Sequence, residues 1–585
     1  MARLRFEDAG AEAPAHEGAG SKGTRPTASR MFRHLLLASA LLAAVASQAV
    51  AAGPTLIDAV KRGDAAAVRR LVQQLDVNQA KGDGMTALHW AAYDGHREIA
   101  SLLIKAGARV NVRSARGLTP LVLAVDHADP ELVHLLLEAG ADPNFANGLG
   151  TAPLMRAAAA GDVKSVVALL DRGAKVNARE PARDQTALMF AAALDRADVI
   201  RALVARGADP NLVSRATANT TDLVDEAGNP IPAESRTGDT QRQTKGDGLA
   251  QGIGGRTALQ FAVREGWIDA ATALLNAGAD INKVNPLDGS TALVVAIANG
   301  HYDLAKVLLE HGANPKLATK DGLTALYATI DSRWAPVSWT PTPFTAADGI
   351  FQQQTDHLDL MKALLARDAD PDARISKSLW FSPPHHNVSW AKAAGATPFW
   401  RAAQSNDVDA MRLLLSAGAD PMLASFDGTT PLAVSAGVGW AGNFSTNAPN
   451  AFLSSTRYLL EEIKLDVNVA NKAGYTALMG AAWRGDNELV EYLVSKGARL
   501  DVRNERGWSA TDMANGPFIR GSQVPVKHPE TIEFLRKLGA PELVVTEDEE
   551  VLGGARRGGR RDADADPDAQ DDAEPRARRR QGSER

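Results

Sequence analysis

Residues 84–108, GMTALHWAAYDGHREIASLLIKAGA, contain the signals of two short helices joined by a tight turn. Thr86 predicts the start of the first helix, because its hydroxyl can accept a hydrogen bond from a free backbone N–H of the first turn. Gly95 and Gly107 predict the ends of the two helices, since glycine readily takes the left-handed conformation that follows helix C-termini. Apolar residues spaced three and four apart lie between these signals. The stretch therefore predicts a pair of amphipathic helices.

The same box, Thr or a substitute followed by Ala or Pro and then Leu or Phe, recurs about every 33 residues. Its copies begin at Thr86, Thr119, Ala152, Thr186, Thr257, Thr291, Thr324, Thr397, Thr430 and Thr476, with degenerate copies at Thr55 and Ser509. A Gly-Ala pair ends most units, and Asp368 replaces that glycine in one of them. Asp tolerates the left-handed conformation better than most residues, so we expect Asp368 to adopt it. The spacing predicts twelve units in residues 53–540, interrupted by insertions.

The pattern Gly-x-Thr-Pro/Ala-Leu-x-x-Ala, then Gly-Asp/His, then Leu-Leu-x-x-Gly-Ala-Asp-x-Asn resembles the ankyrin repeat. The resemblance implies an all-α fold, a solenoid of stacked helix pairs with projecting hairpin loops. Stacking agrees with the physics, because one unit cannot bury its apolar face alone. The His that the family has after the Leu occurs once, as His89, and most other copies have an apolar residue there. We therefore expect apolar packing to replace most of the polar bonding usual at that position.

Three insertions lengthen the array, at about residues 212–255, at 332–356 together with 373–395, and at 438–454. The first has no Trp, Phe or Tyr and has the composition of a disordered loop. The others carry more large aromatic residues than a solvent-exposed loop usually needs. The candidate partner-binding residues are Trp334, Trp339, Phe344, Trp380, Phe381, Trp390, Trp440 and Phe444. We expect these segments to lie within a few repeat widths of one another, where they could form one surface feature.

Two interpretations of these aromatic residues remain open. In the first, they pack back on the array and form a satellite core. In the second, some of them stay partly exposed and form a platform that binds a peptide, a glycan or another ligand, since large aromatic side chains are favoured anchors at binding surfaces. Both interpretations can hold for different residues.

The composition excludes several classes of function. The chain has 585 residues, a formal net charge of −6 and no cysteine. This charge balance does not fit a dedicated nucleic-acid binder, and the lack of cysteine excludes disulfides, thiolate metal sites and cysteine nucleophiles. His385-His386 has no carboxylate cluster beside it and is more typical of solvated or packed histidines than of a metal site. No spacing of catalytic residue types indicates an active site, so we expect no enzyme activity, no cofactor and no metal.

The N-terminal residues indicate export. Residues 31–52 have the charged start, apolar middle and small-residue cleavage site of a secretory signal peptide. The apolar run of about 12 residues is shorter than the about 20 that span a bilayer, although an uncleaved anchor is the alternative. Residues 1–30 are expected to be a mis-assigned leader upstream of Met31. No later segment is apolar and long enough to span a membrane after cleavage, and residues 541–585 have the mixed charge runs of a disordered tail.

Together these features predict a non-enzymatic, exported scaffold, periplasmic or secreted in a bacterial setting. The family resemblance implies binding of a protein partner through the concave face and the loop insertions. The alternative is a module that binds a glycan or peptide ligand through the aromatic insertions.

Overall fold

The computed structural model describes residues 55–217, 253–334, 353–376, 391–440, 448, 451–517 and 526–544. The chain divides into two compact units, Met1–Pro181 and Ala182–Arg585. The proposed leader, the signal peptide and nearly all of the charged tail lie outside the described residues.

The first unit is a stack of helix pairs in which each helix contacts its partner and the equivalent helix of the next pair. Its helices are α1 Leu56–Lys61, α2 Ala65–Leu71, α3 Ala87–Tyr93, α4 Arg97–Lys105, α5 Pro120–Asp126, α6 Pro130–Glu138, α7 Pro153–Ala160 and α8 Val163–Asp171. Apolar side chains of both helices in each pair are buried, so neighbouring pairs share one continuous core.

The second unit repeats this arrangement. Its helices are α9 Ala187–Ala193, α10 Ala197–Val204, α11 Ala258–Glu265, α12 Ile268–Asn276, α13 Ala292–Ala298, α14 Tyr302–Glu310, α15 Ala325–Arg333, α16 His357–Leu365, α17 Pro398–Gln404, α18 Val408–Ser416, α19 Pro431–Ser435, α20 Phe452–Arg457, α21 Ala477–Arg484, α22 Asn487–Ser495, α23 Ala510–Ala514 and α24 Pro529–Lys537. A π-helical turn, Tyr458–Glu462, continues α20. The described helices and their stacking confirm the predicted all-α class of stacked helix pairs.

The root of the first insertion is a short antiparallel ladder in the second unit. Strand β1, Ala216–Thr217, pairs with β2, Ile253–Gly254. A Cβ on Gly254 would lie 1.8 Å from the Arg215 carbonyl oxygen, so only glycine allows the two strands to approach this closely. Residues 218–252, which make up most of the predicted loop, lie outside the described residues.

The helix signals act as the sequence predicts. The Oγ1 of Thr119 accepts a hydrogen bond from the backbone N–H of Val122 at 3.3 Å, and Thr397 caps α17 in the same way. Asp368 has a φ of 57°, which confirms the left-handed conformation expected at this position. Among the described helices, none is both long enough and apolar enough to cross a lipid bilayer.

The position after the box Leu keeps more polar bonding than the sequence suggests. His89 Nε2 lies 3.1 Å from the Leu118 carbonyl oxygen, in the next hairpin. Gln260 Nε2 donates to the Ser290 carbonyl oxygen at 3.0 Å, and Trp400 Nε1 donates to the Thr429 carbonyl oxygen at 2.8 Å. The expectation of apolar replacement is therefore wrong at these two positions, because the amide and the indole present an N–H where the imidazole does. It holds where the side chain is apolar and buried, at Val122, Met155, Met189, Val294, Ala433 and Met479.

Candidate binding surface

The insertions leave the second unit at two different edges. We call the side where the first helix of a pair turns into the second the turn edge, and the side of the loops between pairs the hairpin edge. The described ends of the 332–356 and 438–454 segments lie at the turn edge, whereas those of the 212–255 and 373–395 segments lie at the hairpin edge. The nine-residue helix α15 separates the two edges by about 13 Å. The described ends of the aromatic segments therefore lie at both edges. The segments themselves lie outside the described residues, and their joining in one surface feature stays a prediction.

Two of the eight candidate aromatic residues, Trp334 and Trp440, are described, and both are half-buried. The other six lie outside the described residues: Trp339, Phe344, Trp380, Phe381, Trp390 and Phe444. The His385-His386 pair lies outside them as well.

Trp334 is held at the turn edge by a buried carboxylate. Its Nε1 donates a hydrogen bond of 2.9 Å to Oδ2 of Asp407, and His357 Nε2 lies 2.8 Å from the same oxygen. The Trp334 and His357 rings meet edge to face, with centroids 6.2 Å apart. The other oxygen of Asp407 accepts from the backbone N–H of Ala410 and so caps α18. The indole of Trp334 is therefore fixed by packing and hydrogen bonding.

The charge of Asp407 depends on these partners. Burial by itself would raise the pKa of its carboxyl group, but the hydrogen bonds from His357, from the Ala410 N–H and from Trp334 lower the pKa below its ordinary value. Asp407 is thus a buried carboxylate that stays ionised because both of its oxygens accept hydrogen bonds.

Beneath Trp334 lies a buried ion pair. Arg401 Nε donates to Asp331 Oδ1 at 2.7 Å, and the two side chains are only 3% and 6% exposed. The same guanidinium also donates to the Ser405 hydroxyl and, at 3.3 Å, to the Trp334 carbonyl oxygen. The pair links α15 to α17 and fixes the backbone from which the 335–352 segment departs.

Where the 438–454 segment leaves the turn edge, the rings of Trp440 and Phe452 both lie against the guanidinium of Arg484. The Arg484 guanidinium lies 3.1 Å from the Phe452 ring centroid and 5.3 Å from that of Trp440. Burial lowers the pKa of Arg484 to about 10, although it stays charged at neutral pH. Phe452, at the end of the predicted third insertion, belongs to helix α20. In this corner the described aromatics pack on the array, in agreement with the first interpretation.

The hairpin edge presents an exposed aromatic residue that sequence reasoning missed. Phe426 is 50% exposed at the tip of a hairpin, and the Arg374 guanidinium lies 5.5 Å from its ring centroid. A Cβ on Gly395, which has a φ of 86°, would lie 2.5 Å from Phe426, so the chain after residues 377–390 passes directly against this ring. The sequence did contain a signal for this residue. The equivalent hairpin positions of other repeats carry the charged residues Lys320, Lys472 and Glu505, so a phenylalanine there is unusual.

The ends of the 377–390 segment are hydrogen-bonded to neighbouring hairpins. The Ser376 N–H donates to the Asp321 carbonyl oxygen, and the Lys392 N–H donates to Oδ2 of Asp427, both at 2.8 Å. These bonds hold both ends of the segment beside Phe426. The described ends of the segment that contains Trp380, Phe381 and Trp390 in its sequence therefore lie beside a half-exposed phenyl ring.

Replacing Asp407 with alanine is expected to lower the free energy of unfolding of this part of the array by about 2–3 kcal/mol, because α18 loses its cap and the Trp334 N–H loses its acceptor. Asp407→Asn keeps an acceptor for the cap and removes the charge. Since the pKa of Asp407 is lowered in the folded state, its charge stabilises the fold above the unfolded pKa of about 3.9, and this contribution is lost as the pH falls through the folded pKa. Urea unfolding from pH 7 to pH 3 should show the wild type and Asp407→Asn converging. A constant difference would contradict the ionised state of Asp407.

Stacked helix pairs with a shared core and projecting hairpins define a repeat scaffold, a class of protein that binds through its loops and exposed helix faces. The chain belongs to the ankyrin-repeat family. A family model described as ankyrin repeats (3 copies) matches residues 56–147, 129–214, 239–319 and 399–504, which together make up more than half of the chain. Ankyrin repeats generally serve as protein-interaction scaffolds and not as enzymes.

Two curated proteins are similar to this chain over short stretches. Alpha-latrocrustotoxin-Lt1a of Latrodectus tredecimguttatus is 29% identical over 119 residues, which are 20% of this chain and 8% of that protein. Transient receptor potential cation channel subfamily A member 1 of Homo sapiens is 29% identical over 113 residues, 19% of this chain and 9% of that protein. The chain therefore spans less than a tenth of the length of either relative. The crystal structure of the human ASB11 ankyrin repeat domain is 23% identical, with a TM-score of 0.34, and the match covers 44% of this chain and 98% of that one.

Proposed function

We propose that this chain is an exported, non-enzymatic scaffold of about twelve ankyrin repeats that binds a protein partner through the concave face typical of the family and through the aromatic insertions. The observation that carries the proposal is Phe426, a half-exposed ring beside the hydrogen-bonded ends of the 377–390 segment. An exposed aromatic residue stiffened by a neighbouring guanidinium is a typical anchor at a protein interface.

The proposal divides the aromatic segments by role. At the turn edge, Trp334 is bound to Asp407 and Trp440 packs with Arg484, so these two side chains serve mainly to fix the array. At the hairpin edge, the described residues leave Phe426 accessible. We therefore expect specificity to depend more on residues 377–390 and Phe426 than on residues 335–352.

Export is supported by the layout of residues 31–52, with a periplasmic or secreted destination in a bacterial cell. A scaffold without cysteine folds independently of the redox state of that compartment.

Crosslinking capture from the exported fraction tests the proposal. Four forms are compared: the intact chain, a chain with residues 377–390 replaced by a short linker, Phe426→Ser, and a control in which residues 218–252, which have no Trp, Phe or Tyr, are shortened. We expect a protein partner with the intact chain and the control, and its loss from the other two. Capture unchanged by both hairpin-edge changes would contradict the assigned surface. Absence of the chain from the exported fraction would contradict export, and saturable binding of a glycan without any protein partner would favour the ligand-binding alternative.

A further inference from the structure

A cleft lies between the first helices α11 and α13 of two adjacent pairs in the second unit. The cleft is shallow and opens to solvent. One wall is apolar, formed by Val294, Val295 and Ala298 of α13, and the opposite wall carries Arg256 and Arg264.

The two guanidinium groups have no hydrogen-bonded carboxylate among the described residues. The nearest carboxylate oxygen to Arg264 is Oε1 of Glu265, 3.7 Å from Nε, and that Nε is buried without a hydrogen-bond partner. Asp288, which also lines the cleft, already accepts the backbone N–H of Ser290 at 2.8 Å. Burial, and then the nearby charge of Arg264, lower the pKa of Arg256. Two partly buried like charges are thus close together and incompletely paired.

A third polar group in the cleft, the Asn299 amide, is only partly hydrogen-bonded. The Asn299 Nδ2 donates to the Val295 carbonyl oxygen at 2.7 Å, which fixes the orientation of the amide. Its Oδ1 is consequently an acceptor, and it is buried with no hydrogen-bond partner among the described residues. Buried polar groups are usually satisfied, so the unpaired Arg264 Nε and Asn299 Oδ1 show that the hydrogen bonds of the protein itself do not balance the polar groups around this cleft.

We propose that this cleft binds the carboxylate of an acidic side chain in a peptide segment of the partner, with Arg256 and Arg264 as the binding residues. This inference rests on the proposed function as a protein-binding scaffold. A guanidinium binds a planar carboxylate through paired hydrogen bonds, and the apolar wall accommodates the methylene groups of Glu.

The charge of the cleft favours a monoanion over a phosphate group. Arg256 and Arg264 contribute two positive charges, and Asp288 and Glu265 contribute two negative charges. These two carboxylates repel a dianionic phosphate more strongly than a singly charged carboxylate, which the guanidinium groups can bind through paired hydrogen bonds.

Binding of capped tripeptides to the full chain tests the inference. Acetyl-Ala-Glu-Ala-amide and its uncharged isostere acetyl-Ala-Gln-Ala-amide are titrated by ligand-observed NMR, with inorganic phosphate as a competitor. We expect the Glu peptide to bind at least about tenfold more tightly than the Gln peptide, and Arg256→Gln and Arg264→Gln each to reduce its affinity by about tenfold. Arg201→Gln, on the exposed part of α10, is the matched control and should leave the affinity unchanged.

Several results would overturn the inference: no binding of the Glu peptide to the wild type, equal binding of the two peptides, equal affinity in the arginine variants, or complete displacement by phosphate at similar concentration. If Arg256→Gln does not fold, Arg256→Lys keeps the charge and removes the paired geometry, and it should still weaken binding. The chain without residues 377–390 is titrated as well. If that chain still binds the peptide but no longer captures the partner, the cleft and the hairpin-edge surface are separate binding sites. The cleft inference and the proposed function can then be rejected independently of each other.

Discussion

Replacing Asp331 with alanine is expected to lower the free energy of unfolding of the surrounding repeats by about 3–5 kcal/mol. Asp331 and Arg401 are both almost fully buried, so the substitution leaves the Arg401 guanidinium without its counter-charge in a low-dielectric environment. Repeat arrays unfold through nearest-neighbour interactions, and the loss should therefore be concentrated in the pairs that contain α15 and α17. Hydrogen exchange at the amides of these helices measures the change directly.

The double variant Asp331→Leu/Arg401→Met separates charge from packing. Removing both charges and keeping the volume should restore most of the lost stability, since a buried ion pair contributes little beyond its own desolvation cost. Arg412→Met is the matched control, because Arg412 and its partner Glu462 lie on the surface and such an exposed pair contributes little to stability. An Asp331→Ala chain as stable as the control would show that the pair is solvated.

Replacing Trp400 with alanine is expected to destabilise the same region by about 3–5 kcal/mol. Trp400 is fully buried and among the largest buried side chains of the described residues, so its removal leaves a cavity in the middle of the stack. Its indole N–H also bonds the Thr429 carbonyl oxygen in the next hairpin, which couples two adjacent repeats.

Trp400→Phe isolates that hydrogen bond. The phenyl ring keeps most of the volume, and the Thr429 carbonyl oxygen keeps the Ser425 N–H as a donor at 3.1 Å, so we expect a loss of only about 1 kcal/mol. Urea unfolding of both variants, together with hydrogen exchange at the Thr429 hairpin, separates the cost of the cavity from the cost of the lost hydrogen bond. Equal losses in the Phe and Ala variants would mean that the bond, and not the cavity, dominates.

The sequence predicts the helices well because their signals are local. The box Thr, the Gly-Ala pair and the apolar residues between them all act within one turn of the helix that they define, as Thr397 and Asp368 show. Even the substitution of Asp for Gly at position 368 is predictable, since it depends on the backbone preference of a single residue.

The candidate site is less predictable because its contacts join distant parts of the chain. Arg401 and Asp331 are 70 residues apart, and the sequence of neither repeat indicates that the two side chains form an ion pair. The role of Trp334 likewise depends on Asp407, which lies 73 residues away along the chain. The prediction that aromatic residues mark a binding surface missed Phe426 because it considered insertions and not the repeat positions beside them.

The β1–β2 ladder has a consequence for how this chain could be divided. It brings residues 217 and 253 together, so the 218–252 segment starts and ends at one point of the second unit. The helices on either side of it still contact each other directly, α9 with α11 and α10 with α12. A cut within residues 218–252 therefore removes one covalent link and none of these contacts. We expect two separately synthesised fragments, ending and beginning there, to reassemble by complementation.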